Sequence, residues 1–207
     1  MTSFYERHIM PRLIACACAA RPIMRQRAKV VPLASGRVLE LGVGGGLNLA
    51  FYDPAKVSAV VGVDPSGPLR SRATDAPRPQ GLSVEIAEGL AEDLPFEDSS
   101  FDSVVCTFTL CSVCAPAQAL WEARRVLKPA GRLFFCEHGA APDAAVLRWQ
   151  GRIEPVWKRI AGGCHLTRPV ASSVAEAGFA LEWVDTMYLP KTPRIFGWNE
   201  WGVAAKA

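Results

Sequence analysis

Two stretches of this chain carry residues that could hold a ligand through bare backbone and through hydroxyl groups. In Val38-Leu39-Glu40-Leu41-Gly42-Val43-Gly44-Gly45-Gly46 an apolar run breaks into glycines. Gly42 and Gly44 can adopt backbone angles that a side chain forbids, and a main chain without Cβ atoms can be approached closely. A second apolar run, Val60-Val61-Gly62-Val63, ends in Asp64-Pro65-Ser66. A carboxylate only accepts hydrogen bonds, so Asp64 could take both hydroxyls of a vicinal diol such as a ribose. Either feature alone also occurs as packing or turn chemistry, but the two on consecutive runs point to a nucleotide-like ligand. Leu47 stands where a dinucleotide-binding G-x-G-x-x-G would carry its third glycine, so the spacing is instead E-x-G-x-G-x-G.

A second group of residues could do proton or sulfur chemistry. Cys106, Cys111 and Cys114 have the C-x4-C-x2-C spacing of an iron–sulfur run. No fourth ligand accompanies them and Cys106 falls inside an apolar run. They therefore read as small buried hydrophobes, and no metal site is assigned. Cys136-Glu137-His138 closes another apolar run, which would bring Glu137 and His138 to a ligand edge. A histidine there could take a proton near neutral pH, or it could be purely structural. Gly162-Gly163-Cys164-His165-Leu166-Thr167-Arg168-Pro169 reads as a polar turn between helices. It either joins a site or is a helix start, with Thr167 as N-cap and Pro169 in the first turn.

The elements that must position these residues alternate along the chain. Residues 37–41, 58–63, 83–87, 103–108 and 132–136 are short and rich in Val, Leu and Phe, as buried strands are. Helix-length segments lie between them, one beginning near Leu47 or Asn48. In residues 117–127, Leu120, Ala123, Val126 and Leu127 recur at helical spacing. Lys128-Pro129-Ala130-Gly131 should then turn the chain. Strands alternating with helices, without outward polar alternation, imply a parallel sheet covered on both faces. Residues 1–30 read as one or two helices interrupted at Pro11 and Pro22, and residues 142–177 as broken helix. Two extended runs, 180–187 and 195–204, come last.

Bulk composition narrows the classes. The chain has 207 residues, is 50% hydrophobic and 21% charged, and carries a net charge of +3. Such a chain is globular, long enough for one core, and too evenly charged for nucleic acid to be its main partner. Seven cysteines, an odd number outside a small loop-rich chain, read as reduced thiols, and no secretory signal precedes them, so the expected location is cytoplasmic. Arg12, Arg21, Arg25, Arg27 and Lys29 form a run without acids. It reads as a solvated helix face, with peripheral contact to an anionic membrane as the alternative.

With the glycine run and Asp64, the sequence resembles the class I S-adenosylmethionine-dependent methyltransferases. Ala91-Glu92-Asp93-Leu94-Pro95-Phe96, Ser100-Phe101-Asp102-Ser103-Val104-Val105 and Arg124-Arg125-Val126-Leu127-Lys128-Pro129-Ala130-Gly131 continue the likeness over residues 36–138. It implies an α/β, Rossmann-like fold with a mostly parallel seven-stranded sheet and helices on both faces. Residues 1–30 would be a helical N-terminal lid and 31–207 the methyltransferase domain. The cofactor implied is S-adenosylmethionine, with S-adenosylhomocysteine as product. Gly42, Gly44 and Gly46 would line its methionine and ribose, with Asn48 and Thr107 beside them. Glu40 would orient the loop or the amino group, Asp64 would hold the diol, and Pro65 would pack on the adenine. Leu90 stands where many relatives have an acid, so the adenine amino group would meet backbone near Leu90 and Ala91, or Glu92.

Cys106-Thr107-x-x-Leu110-Cys111-Ser112-Val113, Glu137-His138 and Gly163-Cys164-x-Leu166-Thr167-Arg168 resemble one branch of that family, the methyltransferase-like 7 proteins, which methylate thiols and sulfide. The branch implies a small-molecule thiol acceptor, with His138, Glu137, Cys111 and His165 as candidate catalytic residues. Rival readings are an N- or O-methyltransferase of a small molecule, quinone precursor or phospholipid amine, a metalloid methyltransferase, a nicotinamide-dependent oxidoreductase, and a non-catalytic ligand sensor.

Overall fold

The computed structural model describes residues 16–206, so Phe4 to Ile14 of the expected lid, Pro11 and Arg12 lie outside the described residues. Helix α1 (Arg21–Val30) comes first, and Pro22 sits in its first turn, where a missing N–H costs nothing. Strands β1 (Gly36–Leu41) and β2 (Val57–Val63), helix α2 (Gly67–Thr74) and strands β3 (Val84–Ala87) and β4 (Phe101–Thr107) follow. Then come α3 (Pro116–Val126), β5 (Leu127–His138), α4 (Ala144–Ile160), α5 (Val170–Glu176), β6 (Phe179–Tyr188), α6 (Arg194–Gly197) and β7 (Trp198–Lys206).

The strands form one seven-stranded sheet in the order β3-β2-β1-β4-β5-β7-β6. Only β7 runs antiparallel, against both β5 and β6. This is the mostly parallel Rossmann-like sheet that the alternating elements imply. Its two faces carry separate cores. Leu39, Leu41, Val104, Phe135 and the apolar stripe of α3 (Leu120, Ala123, Val126) pack on one side. Val38, Val60, Val105, Phe134 and Val30 of α1 pack on the other. The strand order reverses between β1 and β4, and in such sheets the crevice at the strands' carboxyl ends is where ligands bind.

Four local expectations are corrected. No α-helix follows the glycine run: the chain makes turns and one 3₁₀ turn, Leu49–Phe51, before β2. Tyr52 is buried and bonded to Glu40, and Asp53-Pro54 turns the chain at once, so there is no length for a helix. Residues 128–131 do not end an element but loop out within β5, whose pairing with β4 jumps from Phe101↔Leu127 to Ser103↔Arg132. Thr167 is not an N-cap, because its hydroxyl donates to Glu154 (2.8 Å) and α5 starts only at Val170, with Pro169 as its cap residue. The last extended run begins at Trp198, after the short helix α6. Among the described residues no helix is long and apolar enough to cross a membrane.

Candidate active site

The carboxyl ends of β1, β2 and β4 open onto a cavity of about 400 Å³, lined by the glycine loop, Asp64, the segment 89–92 and the segment after β4. Gly42, just past β1, has φ +64°, and a Cβ there would sit 2.4 Å from the Thr109 hydroxyl. A Cβ on Gly44 would meet nothing nearer than the Gly42 carbonyl at 3.8 Å, which leaves that side of its Cα open to close approach by a ligand. The carboxylate of Asp64 accepts the N–H of Gly44 (3.0 Å) with one oxygen and that of Ser66 (2.8 Å) with the other. Burial nevertheless raises its pKa, against those two donors. The group therefore gains from further donors, which a diol supplies.

Behind the loop lies a fully buried polar knot. Glu40 accepts from the Asn48 amide (2.9 Å) and the Tyr52 hydroxyl (2.8 Å), and Asn48 also donates to Thr107. Arg27 enters from α1 and donates to Asn48 Oδ1 (2.9 Å) and to Thr107. It is 6% exposed, so it leaves the solvated basic face, while Arg21, Arg25 and Lys29 remain exposed. Its guanidinium lines the cavity beside Cys18 and over the Phe108 ring, and its Nε meets no hydrogen-bond partner among the described residues. Phe108 itself has φ +52°, a strained angle for a bulky residue, held by its N–H to Cys136 and its stack on His138.

A third cluster lies behind the far wall. The Cys164 sulfur is 3.0 Å from His138 Nε2, and Cys111 joins them, the three ligating atoms all lying within 4.8 Å of one another. The Trp157 indole N–H donates to Cys164 (3.2 Å), and the Ser112 hydroxyl lies 3.4 Å from the Cys111 sulfur.

A methyltransferase-domain family matches residues 39–135. Over 172 residues the chain is 40% identical to thiol S-methyltransferase TMT1B of Rattus norvegicus, covering 77% of this chain and 68% of that one. The human protein of the same name is 40% identical over 177 residues, 79% and 71% of the two chains. The chain belongs to the class I S-adenosylmethionine-dependent methyltransferases, in their thiol S-methyltransferase branch. Among solved structures, a Thermotoga maritima methyltransferase described as a possible histamine N-methyltransferase superposes with a TM-score of 0.68, covering 97% of this chain and 99% of that one at 24% identity. That likeness bears on the fold alone.

S-adenosylmethionine is this methyltransferase's methyl donor, and the cavity fits it. Bare backbone at Gly44, the Asp64 carboxylate, apolar Leu90 and Ala91 and the Arg27 side chain all line one space of suitable size. Of the residues expected from sequence to bind the cofactor, Gly42, Gly44, Asp64, Pro65, Leu90, Ala91, Glu92 and Thr107 line it. Glu40, Gly46 and Asn48 do not. Glu40 and Asn48 are turned inward to hold the loop from behind. Gly46 (φ +77°) lacks a side chain because a Cβ would fall 2.6 Å from that of Ala76.

The expected catalytic residues divide as well. Glu137 does not face an acceptor: it is fully buried and accepts the N–H groups of Thr109 (2.6 Å) and Leu110 (2.9 Å), bracing the segment after β4. His165 pairs with Glu154 on α4 (3.0 Å), away from the cavity. Cys106 is core, as expected, whereas Cys114 is exposed and lines the cavity mouth. Cys111 and His138 meet, joined by Cys164 rather than by Cys106 or Cys114. Sequence reading missed Arg27 as a site residue, and it marked the turn of Cys164 as a possible part of the site without naming that thiol as a catalytic candidate. Nothing local marks Arg27, since only the folding of α1 onto the sheet edge brings it in.

Proposed function

We propose that this methyltransferase methylates a small thiol or sulfide. The observation that carries the reading is the charge on the cavity wall. Arg27, Asp64 and Glu92 are its only ionisable side chains other than cysteine among the described residues, and no imidazole or lysine lines it. Asp64 is turned to the cofactor loop, and Glu92 is taken by the N–H groups of Cys114 and Ala115. Such a wall suits a nucleophile that ionises without a base. A thiol, with an ordinary pKa of about 8.5, needs little help, and a nearby guanidinium favours its thiolate further. A phenol or an amine would need a proton acceptor at this wall. The 40% identity to proteins named thiol S-methyltransferases supports the same reading. Their aligned length, 172 residues, runs well beyond the family match at 39–135 and so takes in acceptor-side segments.

When bound, S-adenosylmethionine supplies a methyl group on a sulfonium, already activated for in-line displacement. The chain's own part is to bind and align. Asp64 holds the ribose diol, Gly42 and Gly44 let the loop close on the cofactor, and Leu90 and Ala91 flank the adenine. Phe108, Ser112 and Arg27 form the acceptor side, with His138 and Cys111 acting behind Phe108 and Ser112. Residues 1–30 act as a cover over the domain 31–207. What supports this is that α1 and the helical residues 16–18 before it supply Arg27 and Cys18 to the wall.

The test is a methyl-transfer assay with mass detection against sulfide, short alkyl thiols, amines and phenols. Turnover of thiols or sulfide alone is expected. Turnover of an amine or phenol with none of any thiol overturns the reading.

A further inference from the structure

We propose that Cys111, His138 and Cys164 bind a thiophilic divalent cation, best matched by zinc, with an open ligand position on the acceptor wall. Three chain segments that are remote in sequence converge here: the loop after β4, the end of β5 and the turn after α4. Each brings one soft or borderline donor. Their ligating atoms all lie within 4.8 Å of one another, with Cys164 Sγ and His138 Nε2 at 3.0 Å, so small side-chain rotations bring them to the roughly 3.5–3.8 Å separations of a tetrahedral cation about 2.0–2.3 Å from each nitrogen or sulfur. Two sulfurs and one imidazole select zinc over hard, oxygen-seeking ions. Three protein ligands with a free fourth position is the arrangement of zinc sites that act on a substrate.

The surroundings match a built site. The Trp157 indole N–H donates to the Cys164 sulfur, an outer contact of the kind that orients and tunes a metal-bound thiolate. Phe108 stacks on the His138 ring, and Glu137 braces the loop that carries Cys111. The cluster also adjoins the cavity at all three corners. Phe108 beside His138, Ser112 beside Cys111, and Gly162 at the turn that carries Cys164 all line it. The fourth position therefore lies toward Ser112, whose hydroxyl is 3.4 Å from the Cys111 sulfur.

A thiol entering that position would become a ligand of matching softness. The new bond joins its sulfur to the cation, and its proton passes to solvent, so the acceptor is held as thiolate. This last step rests on the thiol reading above; the cation site does not.

Cobalt(II) is the probe, because thiolate ligation to it gives a charge-transfer band and tetrahedral geometry gives visible absorption. The reduced full-length chain should take up one cobalt per molecule with both signals, and zinc should displace it. Cys111→Ser, Cys164→Ser and His138→Ala should each weaken uptake by tenfold or more, whereas Cys114→Ser should not. Calorimetric binding of S-adenosylhomocysteine reports whether each variant is folded. If the variants fail to fold, alkylation of the wild-type protein decides: zinc should protect Cys111 and Cys164 and leave Cys114 reactive. Absence of uptake, uptake that survives loss of these ligands in a folded variant, or alkylation unchanged by zinc overturns the site. Sulfide or a short alkyl thiol should add a further charge-transfer component to the cobalt protein. An unchanged spectrum overturns the open position, whatever the turnover assay gives.

Discussion

The guanidinium of Arg27 donates to the side-chain oxygen of Asn48 at 2.9 Å, tying the first described helix to the underside of the glycine loop. The same guanidinium reaches Thr107 at the end of β4. One side chain thus couples helix α1, the glycine loop and the strand end, and it places a positive charge on the cavity wall. Arg27→Met removes both effects. The stranded Asn48 acceptor should cost about 1–3 kcal/mol of stability, read from urea unfolding. Without the cation, the pH midpoint of thiol methylation should move upward. Arg27→Lys should restore the midpoint more than the stability, because a lysine keeps the charge without the planar fork.

Glu40 gives the fold a pH dependence of unusual sign for a carboxylate. Burial pushes it from 4.5 up to about 7, outweighing the Tyr52 and Asn48 donors and nearby Arg27. Below pH 4.5 the folded and unfolded chains both hold the proton. Between 4.5 and about 7 the unfolded chain gives it up while the folded one retains it, so stability falls as pH rises through that window. The full loss at this residue is on the order of 3 kcal/mol. Glu40→Gln keeps an acceptor for Asn48 and stays neutral. It should flatten the fall in unfolding midpoint between pH 5 and 8 by roughly that amount. A variant with the wild-type slope would assign the dependence to another group.

Gly42 tests whether the loop's shape is set by sterics. Its φ of +64° and the 2.4 Å approach to Thr109 leave no room for a methyl group. Gly42→Ala should lose about 1–3 kcal/mol and most of its affinity for S-adenosylhomocysteine. Gly81→Ala, also at positive φ (+84°) but with nothing within 4 Å, should suffer the strain alone and keep that affinity.

The strands were legible because a parallel sheet buried on both faces leaves continuous apolar runs. The predicted 37–41 and 58–63 fall within one residue of β1 and β2, and 103–108 within two of β4. Gly42, Gly44 and Asp64 were legible because their chemistry is local: a turn that needs positive φ and a carboxylate at a strand end. Glu137 misled, and Glu40 stayed open between loop and ligand, because a carboxylate at a strand terminus reads the same whether it turns toward ligand or back to brace a loop. Only the partners decide that, Asn48 and Tyr52 for one and the N–H groups of Thr109 and Leu110 for the other. Arg27 misled in the opposite direction, since a basic run hides the one member that the fold turns inward. The Cys111–His138–Cys164 cluster has no spacing to detect, because three separate connections assemble it.

Asp64 carries the sharpest test of the cofactor site. Its two oxygens already take the Gly44 and Ser66 N–H groups, so the carboxylate is fixed in place before any ligand arrives. Asp64 lines the cavity, and two ribose hydroxyls can use both of its oxygens only while neither carries a hydrogen. Asp64→Asn keeps the size and one acceptor oxygen but turns the other corner into a donor, which opposes one backbone N–H and accepts from no hydroxyl. Affinity for S-adenosylhomocysteine should fall by about 1–3 kcal/mol, roughly 5- to 150-fold, in isothermal titration. Asp64→Ala removes the brace as well as the acceptor and should fall at least as far. Because burial already raises the Asp64 pKa, wild-type affinity should also weaken as the pH drops toward the carboxylate range, and the Asn variant should lack that dependence. Unchanged affinity in a folded Asp64→Ala protein would move the diol to another acceptor on the cavity wall.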